Sequence, residues 1–239
     1  MCGLAGMLLP APVASAEVLQ AQVLAMGEAL HHRGPDDGGS WVDAGAGIAL
    51  AHRRLSILDL SPLGHQPMAS SDGRYVMAYN GEVYNFAALR AELEPLGHAF
   101  RGHSDTEVLL AAILQWGMEE TLQRCNGMFA IALWDRQAQC LWLARDRVGK
   151  KPLYYGWAGD TLVFGSELKA LWQHPAFDND IDRDALSTLA AGIGSDVPFS
   201  LHGGTALGTG RGEQLVGVLS RGSFHWVIAV AGGGLSTPQ

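Results

Sequence analysis

The chain has 239 residues, of which 48% are hydrophobic, so it can bury a sizeable core in one large domain, or in one domain and part of another. Its formal net charge of −8 and the lack of any basic run argue against nucleic acid or membranes as partners, and no apolar stretch approaches the ~18 residues that span a bilayer. The three cysteines are few and odd in number, which favours reduced thiols and a cytoplasmic location.

The chain starts with a cysteine directly after Met1. Trimming of Met1 would give Cys2 a thiol and a free α-amine, so one residue would carry both a nucleophile and a base. Position alone favours an ordinary small residue at a chain start, and only the rest of the chain changes that weighting. A secretory signal is a weaker interpretation, because no Lys or Arg precedes the apolar run of residues 4–9 and Pro10 and Pro12 interrupt it.

The first half of the chain alternates apolar segments with polar turns. Residues 3–9 predict a short buried strand, and residues 16–31 predict a helix that Ser15 can cap. Residues 31–38 predict a rigid polar turn. Two further strands are predicted at residues 47–52 and 74–79, the second ending at a hairpin turn formed by Asn80 and Gly81.

The second half begins with helices and continues with strands. Asn85 can cap a helix that runs to about residue 94, and Ser104 to Glu107 form a capping box before a further helix. Strands are predicted at residues 128–134, 140–144, 152–157 and 162–164, and a short helix at 167–172. Because strands and helices do not alternate as in βαβ units, the order predicts an α+β fold with antiparallel sheets.

The composition changes after about residue 186. The last 54 residues hold 12 of the 31 glycines and only four charged side chains, namely Asp196, Arg211, Glu213 and Arg221. A glycine-rich segment with so little charge does not look like a continuation of the domain before it.

If Cys2 is a nucleophile, the reaction also needs an oxyanion site and a clamp for the charged end of the substrate. Asn80 and Gly81 offer a side-chain amide beside a flexible backbone N–H, although Asn-Gly is also a common hairpin turn. Arg54 follows a strand and could fork onto a carboxylate, or lie in solvent. Asp105 could bind an ammonium, or only begin its helix.

Other chemistries lack support in the sequence. His31, His32, Asp36 and Asp37 have no recognisable metal-ligand spacing. Residues 144–151 end in Gly-Lys-Lys, but they are not a Walker loop, because position 144 is not Gly and position 151 is not Ser or Thr. Gly208 to Gly212 is not a dinucleotide-binding fingerprint.

Together these segments resemble a known family, the N-terminal glutaminase domain of glutamine-hydrolysing asparagine synthetase, over residues 1 to about 180. The resemblance is carried by nine ordered motifs: Met1-Cys2-Gly3-Leu4-Ala5-Gly6, His32-Arg33-Gly34-Pro35-Asp36, Ala51-His52-Arg53-Arg54-Leu55-Ser56-Ile57, Gly64-His65-Gln66-Pro67-Met68, Tyr79-Asn80-Gly81-Glu82-Val83-Tyr84-Asn85, Ser104-Asp105-Thr106-Glu107, Gly127-Met128-Phe129-Ala130, Ala144-Arg145-Asp146-Arg147 and Ser166-Glu167-Leu168-Lys169-Ala170-Leu171.

The resemblance implies a class II glutamine amidotransferase domain at residues 2–185 with the N-terminal-nucleophile fold, in which two antiparallel sheets stack between helical layers. It implies that Cys2 attacks the side-chain amide of glutamine, and that Asn80 and Gly81 hold the oxyanion. Glutamine would be bound by residues 54–58 and 80–82 together with Asp105, that is by Arg54, Leu55, Ser56, Ile57, Leu58, Asn80, Gly81, Glu82 and Asp105.

Within that set, Arg54 would bind the α-carboxylate, while Glu82 and Asp105 would help to hold the α-ammonium. The glutaminase half-reaction would need no cofactor and no metal. ATP and Mg belong to a synthetase domain whose Ser-Gly-Gly-x-Asp-Ser loop this chain lacks, so this chain alone is not expected to form asparagine. Glutamine is the expected partner, and a homodimer is compatible with the family.

Residues 186–239 resemble an internal fragment of a different family, 4-diphosphocytidyl-2-C-methylerythritol kinase, a GHMP-type sugar-alcohol kinase. Asp196 falls where that family keeps its catalytic aspartate, but the phosphate loop and the upstream lysine are missing. We therefore expect no kinase activity and a poorly packed tail. Two alternatives to an active glutaminase stay open: a non-catalytic truncated or chimeric product, and a remnant of the kinase.

Overall fold

The computed structural model describes residues 1–12, 15–57, 60–180, 185–186, 188–189, 206–209 and 214–217. The chain divides into two compact units, residues 1–179 and 180–239. The second unit contains an antiparallel pair, β10 (Ala206–Thr209) and β11 (Gln214–Gly217).

Nine strands of the first unit form two antiparallel sheets. The five-stranded sheet has the order β2-β3-β1-β9-β8 and the four-stranded sheet the order β4-β5-β6-β7. The strands are β1 (Gly3–Leu8), β2 (Asp37–Asp43), β3 (Ile48–Arg54), β4 (Met68–Ala69), β5 (Tyr75–Val83), β6 (Gly127–Asp135), β7 (Cys140–Arg145), β8 (Tyr154–Ala158) and β9 (Thr161–Gly165).

Helices cover the outer faces of both sheets. Helices α1 (Ala16–Glu28) and α5 (Leu168–Leu171) pack on the five-stranded sheet, whereas α2 (Phe86–Leu93), α3 (Asp105–Trp116) and α4 (Met118–Arg124) pack on the four-stranded sheet. This four-layer arrangement confirms the predicted α+β fold with two stacked sheets. None of the helices in the described ranges is long and apolar enough to cross a membrane.

The core between the sheets follows from the two-residue period of the strands. In β5, Val76 and Ala78 face the other sheet, where Leu4 and Phe164 lie, while Met77 faces the helices of the outer layer. Both faces of the central strands are buried, which explains why these strands are nearly continuous apolar runs.

Local signals predicted the helix starts. The Ser15 hydroxyl accepts a hydrogen bond from the N–H of Val18 at 3.3 Å, and the Ser104 hydroxyl accepts one from the N–H of Glu107 at 3.3 Å. The second half of the predicted capping box differs, because the Glu107 carboxylate accepts hydrogen bonds from the N–H groups of Arg101 and Gly102. Asn85 precedes α2, but its side chain makes no capping bond to the helix.

Two predictions were wrong. Asn80 and Gly81 do not form a hairpin turn, because β5 continues through them to Val83, and they pair with Ala130 and Phe129 of β6. Residues 31–38 are not entirely a polar turn, because strand β2 begins at Asp37. The polar residues at the start of β2 gave no strand signal in the sequence.

Candidate active site

A cavity of about 310 Å³ lies where both sheets and helix α3 meet. Besides Cys2, seven of its lining residues belong to the predicted glutamine site: Arg54, Leu55, Ile57, Asn80, Gly81, Glu82 and Asp105. Ser56 is not among the lining residues, and its N–H donates to the Asp36 carboxylate at 2.8 Å. Leu58, also predicted for this site, lies outside the described residues.

The thiol of Cys2 is placed by the start of β1 and by the loop after β3. Its Sγ accepts a hydrogen bond from the N–H of Leu55 at 3.4 Å and lies 3.6 Å from the Leu55 carbonyl oxygen. Arg33 donates from Nε to the carbonyl oxygen of Cys2 at 3.0 Å, and from its NH1 to Glu167 at 2.7 Å. The nucleophile candidate is therefore held through its backbone, while its sulfur faces the cavity with weak partners.

Asn80 and Gly81 lie on β5, the central part of the four-stranded sheet. The Asn80 side chain is only 1% exposed, yet its amide nitrogen Nδ2 has no hydrogen-bond partner among the described residues. A buried amide without a partner is unusual in a folded protein. Since Asn80 lines the cavity, a ligand atom there would give this donor its missing partner.

Gly81 is required by the close approach of the neighbouring strand. A Cβ at this position would overlap the backbone carbonyl oxygen of Met128, so a larger residue would displace β5 from β6. The glycine thus lets β5 pair closely with β6 next to Asn80.

Arg54 ends β3 and is buried at the edge of the cavity. Its NH1 donates to the carbonyl oxygen of Ser61 at 2.8 Å, and its guanidinium passes so close to Gly64 that a Cβ there would overlap it. The preceding residue, Arg53, points the other way and pairs with Glu28 of α1. Because successive side chains of a strand point to opposite faces, Arg54 faces the cavity and Arg53 faces helix α1.

Asp105 is the first residue of α3, and one of its carboxylate oxygens is shared by two donors. Its Oδ2 accepts hydrogen bonds from the Tyr79 hydroxyl at 2.7 Å and from the N–H of Val83 at 3.0 Å. Burial raises the pKa of Asp105, and burial beside this carboxylate raises the pKa of Tyr79 well above its usual value, so Tyr79 stays a donor. Asp105 begins the helix, as one interpretation of the sequence had it, and also lines the cavity; its binding of an ammonium stays a prediction.

Sequence reasoning did not identify Gln66 as part of the site, although it lines the cavity. Its buried side chain joins two elements, because Oε1 accepts from the N–H of Tyr79 at 2.7 Å and Nε2 donates to the Thr106 hydroxyl at 3.3 Å. Lys150, Lys151, Thr106 and Met128 also line the cavity and were not predicted for it. The only sequence signal for Gln66 was its presence in a motif of the resembled family.

A metal centre has no support among the described residues, where no group of three or more His, Cys, Asp or Glu side chains is arranged to hold an ion. His31 and His32 begin a short 3₁₀ turn, and His32 contacts Glu167 at 3.1 Å. His52 is buried against the Tyr79 carbonyl oxygen at 2.9 Å, and burial lowers its pKa to about 4.

Comparison with known proteins identifies a matching family and individual relatives. The family profile described as the glutamine amidotransferase domain matches residues 1–207, a range that passes the predicted boundary at residue 186. Asparagine synthetase [glutamine-hydrolyzing] 3 of Bacillus subtilis (strain 168) is 42% identical over 166 residues, which is 69% of this chain and 26% of that protein. Asparagine synthetase [glutamine-hydrolyzing] 1 of the same strain is 40% identical over 186 residues, covering 78% and 29%.

The chain therefore spans less than a third of the length of these two relatives. Among solved structures, glutamine phosphoribosylpyrophosphate amidotransferase from B. subtilis, complexed with ADP and GMP, superposes with a TM-score of 0.60 over 71% of this chain and 43% of that one. At 22% identity this likeness shows the fold alone. The kinase resemblance of residues 186–239 is not tested by these matches and stays a prediction.

Proposed function

Because the chain belongs to the glutamine amidotransferase domain family, an enzyme family, we propose that residues 1–179 hydrolyse glutamine to glutamate and ammonia through a thioester on Cys2. The observation that carries the proposal is the shared cavity, in which the Cys2 thiol lies with the guanidinium of Arg54 and with the Asn80 amide nitrogen, which has no partner among the described residues. Nucleophile, oxyanion donor and carboxylate clamp thus line the same space.

In the proposed reaction, the α-amine of Cys2, exposed by removal of Met1, accepts the thiol proton while Sγ attacks the side-chain carbonyl carbon of glutamine. Asn80 Nδ2 and the Gly81 N–H donate to the resulting oxyanion. The amine then gives its proton to the leaving nitrogen, and ammonia departs as the thioester forms. Water attacks the thioester, which releases glutamate and restores the thiol.

The substrate's other end meets charges of the opposite sign. The Arg54 guanidinium suits the α-carboxylate, because a planar fork can donate two parallel hydrogen bonds. Glu82 and Asp105 line the same cavity and suit the α-ammonium. Leu55 and Ile57 contribute to the loop that closes the cavity beside the thiol.

Every group in this half-reaction comes from the protein, so the proposal requires no cofactor. Formation of asparagine, with the ATP and Mg that it needs, is proposed only for a longer protein that includes a synthetase domain like that of the named relatives. The proposal also keeps the cytoplasmic location, the lack of nucleic-acid or membrane partners and the homodimer as predictions from the sequence and its resemblance.

The test is ammonia release from glutamine by the purified chain, with intact mass recorded on the same sample to verify the loss of Met1. Cys2→Ala should abolish release and leave the circular dichroism spectrum unchanged, because the thiol makes only weak contacts. Cys140→Ala is the matched control, since Cys140 is an exposed cysteine on β7. Ammonia release by Cys2→Ala at the rate of the parent would contradict the proposal, and an inactive, folded parent without Met1 would favour the non-catalytic alternative.

A further inference from the structure

The loop after β7 carries a motif that the proposed reaction leaves unused, residues 144–147 and the glycine and two lysines that follow. The buried carboxylate of Asp146 holds this loop, because it accepts hydrogen bonds from the N–H groups of Phe129, Lys150 and Lys151 at 3.2, 2.8 and 2.9 Å. Arg145 adds a bond from Nε to the Lys151 carbonyl oxygen at 2.7 Å. The backbone of Lys151 is thus fixed from both sides.

Lys151 is only 6% exposed and lines the cavity. Its Nζ donates to the sulfur of Met1 at 3.4 Å, and no carboxylate among the described residues pairs with it. A thioether is a weak acceptor, so this is poor compensation for a buried ammonium. A buried cation without an anionic partner at the edge of a reactive cavity indicates a function rather than a contribution to stability.

Met1 connects Cys2 with Lys151. It is bonded to the nitrogen of Cys2, and its sulfur is the acceptor of the Lys151 ammonium. When Met1 is removed, that nitrogen becomes the α-amine of Cys2, and Lys151 loses its thioether acceptor. Cys2 and Lys151 line the same cavity.

We propose that the Lys151 ammonium faces the mature α-amine of Cys2 and favours its uncharged, proton-accepting form. The proposal rests on the proposed function, since only there does the amine act as a base. The physical reason is like-charge repulsion: a cation on the wall of the same cavity penalises a second positive charge, and a low-dielectric cavity strengthens that penalty. Lys151 therefore acts through Cys2 and needs no contact with glutamine.

Other ionisable groups face the same cavity from every element around it, and each must be accounted for. They are Tyr79 and Glu82 on β5, Arg54 on β3, Asp105 on α3 and Lys150 on the loop itself, with Arg33 at the carbonyl of Cys2 paired with Glu167. Glu82 and Asp105 would act in the opposite direction to Lys151. All of them stay in place when Lys151 alone is changed, so a comparison of variants isolates its effect.

The first experiment measures the rate of Cys2 alkylation by iodoacetamide against pH, using mass spectrometry on the full chain without Met1. This readout reports the protonation of the thiol and amine as a coupled pair and does not require glutaminase activity. Removal of a cation makes loss of the first proton harder, so Lys151→Met should move the midpoint to higher pH by about 0.5 to 1 unit. Lys151→Arg should restore the midpoint of the parent.

Arg147→Met is the matched control, because it removes one positive charge from an exposed position on the same loop. In the pH profile of kcat/KM for ammonia release, the acidic limb should move in the same direction as the alkylation midpoint. A midpoint in Lys151→Met no higher than in Arg147→Met would overturn the inference, even if glutamine is hydrolysed. Lys151→Gln serves the same purpose if Lys151→Met does not fold.

The two proposals fail separately. If the chain lacks glutaminase activity but the alkylation midpoint moves, the proposed function is wrong and the electrostatic effect of Lys151 on Cys2 stands. If glutamine is hydrolysed and neither the midpoint nor the limb moves, the proposed function stands and the inference about Lys151 is wrong.

Discussion

Gln66, Tyr79 and Asp105, the framing residues of the cavity, are each held by hydrogen bonds within the protein. Cys2 and Asn80, the residues proposed to attack glutamine and to hold the oxyanion, have weak partners or, for the Asn80 amide nitrogen, none among the described residues. Folding alone would favour satisfying every buried polar group. We infer from this difference that Cys2 and Asn80 keep their bonding capacity for a ligand, and that the framing residues hold them in place.

The largest effect that would test this comparison is expected on removal of the Asn80 amide nitrogen, the donor without a partner among the described residues. Asn80→Ala deletes one of the two groups proposed to hold the oxyanion, so kcat should fall by about 10²–10³-fold while thermal stability changes little. Steady-state ammonia release and a melting curve test both halves of the expectation. Asn126→Ala, at an exposed loop position, is the control. A large loss of stability with unchanged kcat would place Asn80 among the framing residues.

Arg54 belongs partly to both groups, because it donates to Ser61 and also lines the cavity. Arg54→Lys keeps the charge but loses the planar fork, so glutamine binding should weaken by about 1.5–3 kcal/mol, seen as a higher KM with a smaller change in kcat. Arg53→Lys is the matched control, since Arg53 pairs with Glu28 of α1 on the other face of the sheet. Equal KM values for the two variants would remove Arg54 from the proposed clamp.

A framing residue should show the reverse pattern. Tyr79→Phe removes the hydroxyl that donates to Asp105, which leaves that oxygen with the N–H of Val83. The free energy of unfolding should fall by about 1–2 kcal/mol, since a buried acceptor loses one of its donors. Urea titration measures the effect, and Tyr155→Phe, which alters an exposed tyrosine, should show almost none. Unchanged stability in Tyr79→Phe would contradict the assignment.

The smallest expected effect concerns Glu167, which accepts a hydrogen bond from Arg33, the residue that also donates to the carbonyl oxygen of Cys2. Partial burial alone would raise the pKa of Glu167, but hydrogen bonds from Arg33, Lys169 and His32 lower it from an ordinary 4.5 to about 2. An acid whose pKa is lower in the folded chain stabilises the fold above its unfolded pKa, and that contribution disappears as the pH falls through the folded pKa. Glu167→Gln should therefore flatten the loss of stability between about pH 4.5 and 2.

Thermal melting across that pH range tests the expectation. Glu119→Gln, which changes an exposed carboxylate on α4, should keep the pH dependence of the parent. If Glu167→Gln and Glu119→Gln follow the same curve, the hydrogen bonds of Glu167 contribute nothing to stability in acid.

The sequence predicted those parts of the molecule that depend on local signals. Helix starts at Ser15 and Ser104 were predicted because a capping hydroxyl acts on a backbone N–H three residues away. The turn predicted at Asn80 failed because its local preference is overridden by pairing with β6, whose residues lie about fifty positions later. The site contained most of the residues that the family resemblance implied.

Gln66 shows what sequence reasoning could not reach. Its side chain bonds to Tyr79 and Thr106, which are 13 and 40 residues away, and no spacing rule connects a loop glutamine to a strand and a helix at such separations. The same holds for Lys151, whose contact with Met1 joins residues 150 positions apart. Such contacts exist only once segments far apart in the chain have folded together.

The division of the site between the sheets has a consequence for partly folded states. Cys2 precedes β1 and Arg54 ends β3 in the five-stranded sheet, whereas Asn80 and Gly81 lie on the four-stranded one. A molten globule keeps its strands and helices but loses fixed packing between layers. In such a state the proposed nucleophile and oxyanion donors would lose their common geometry. The proposed ammonia release would then vanish while far-ultraviolet dichroism persisted, and it would serve as a sensor of sheet stacking.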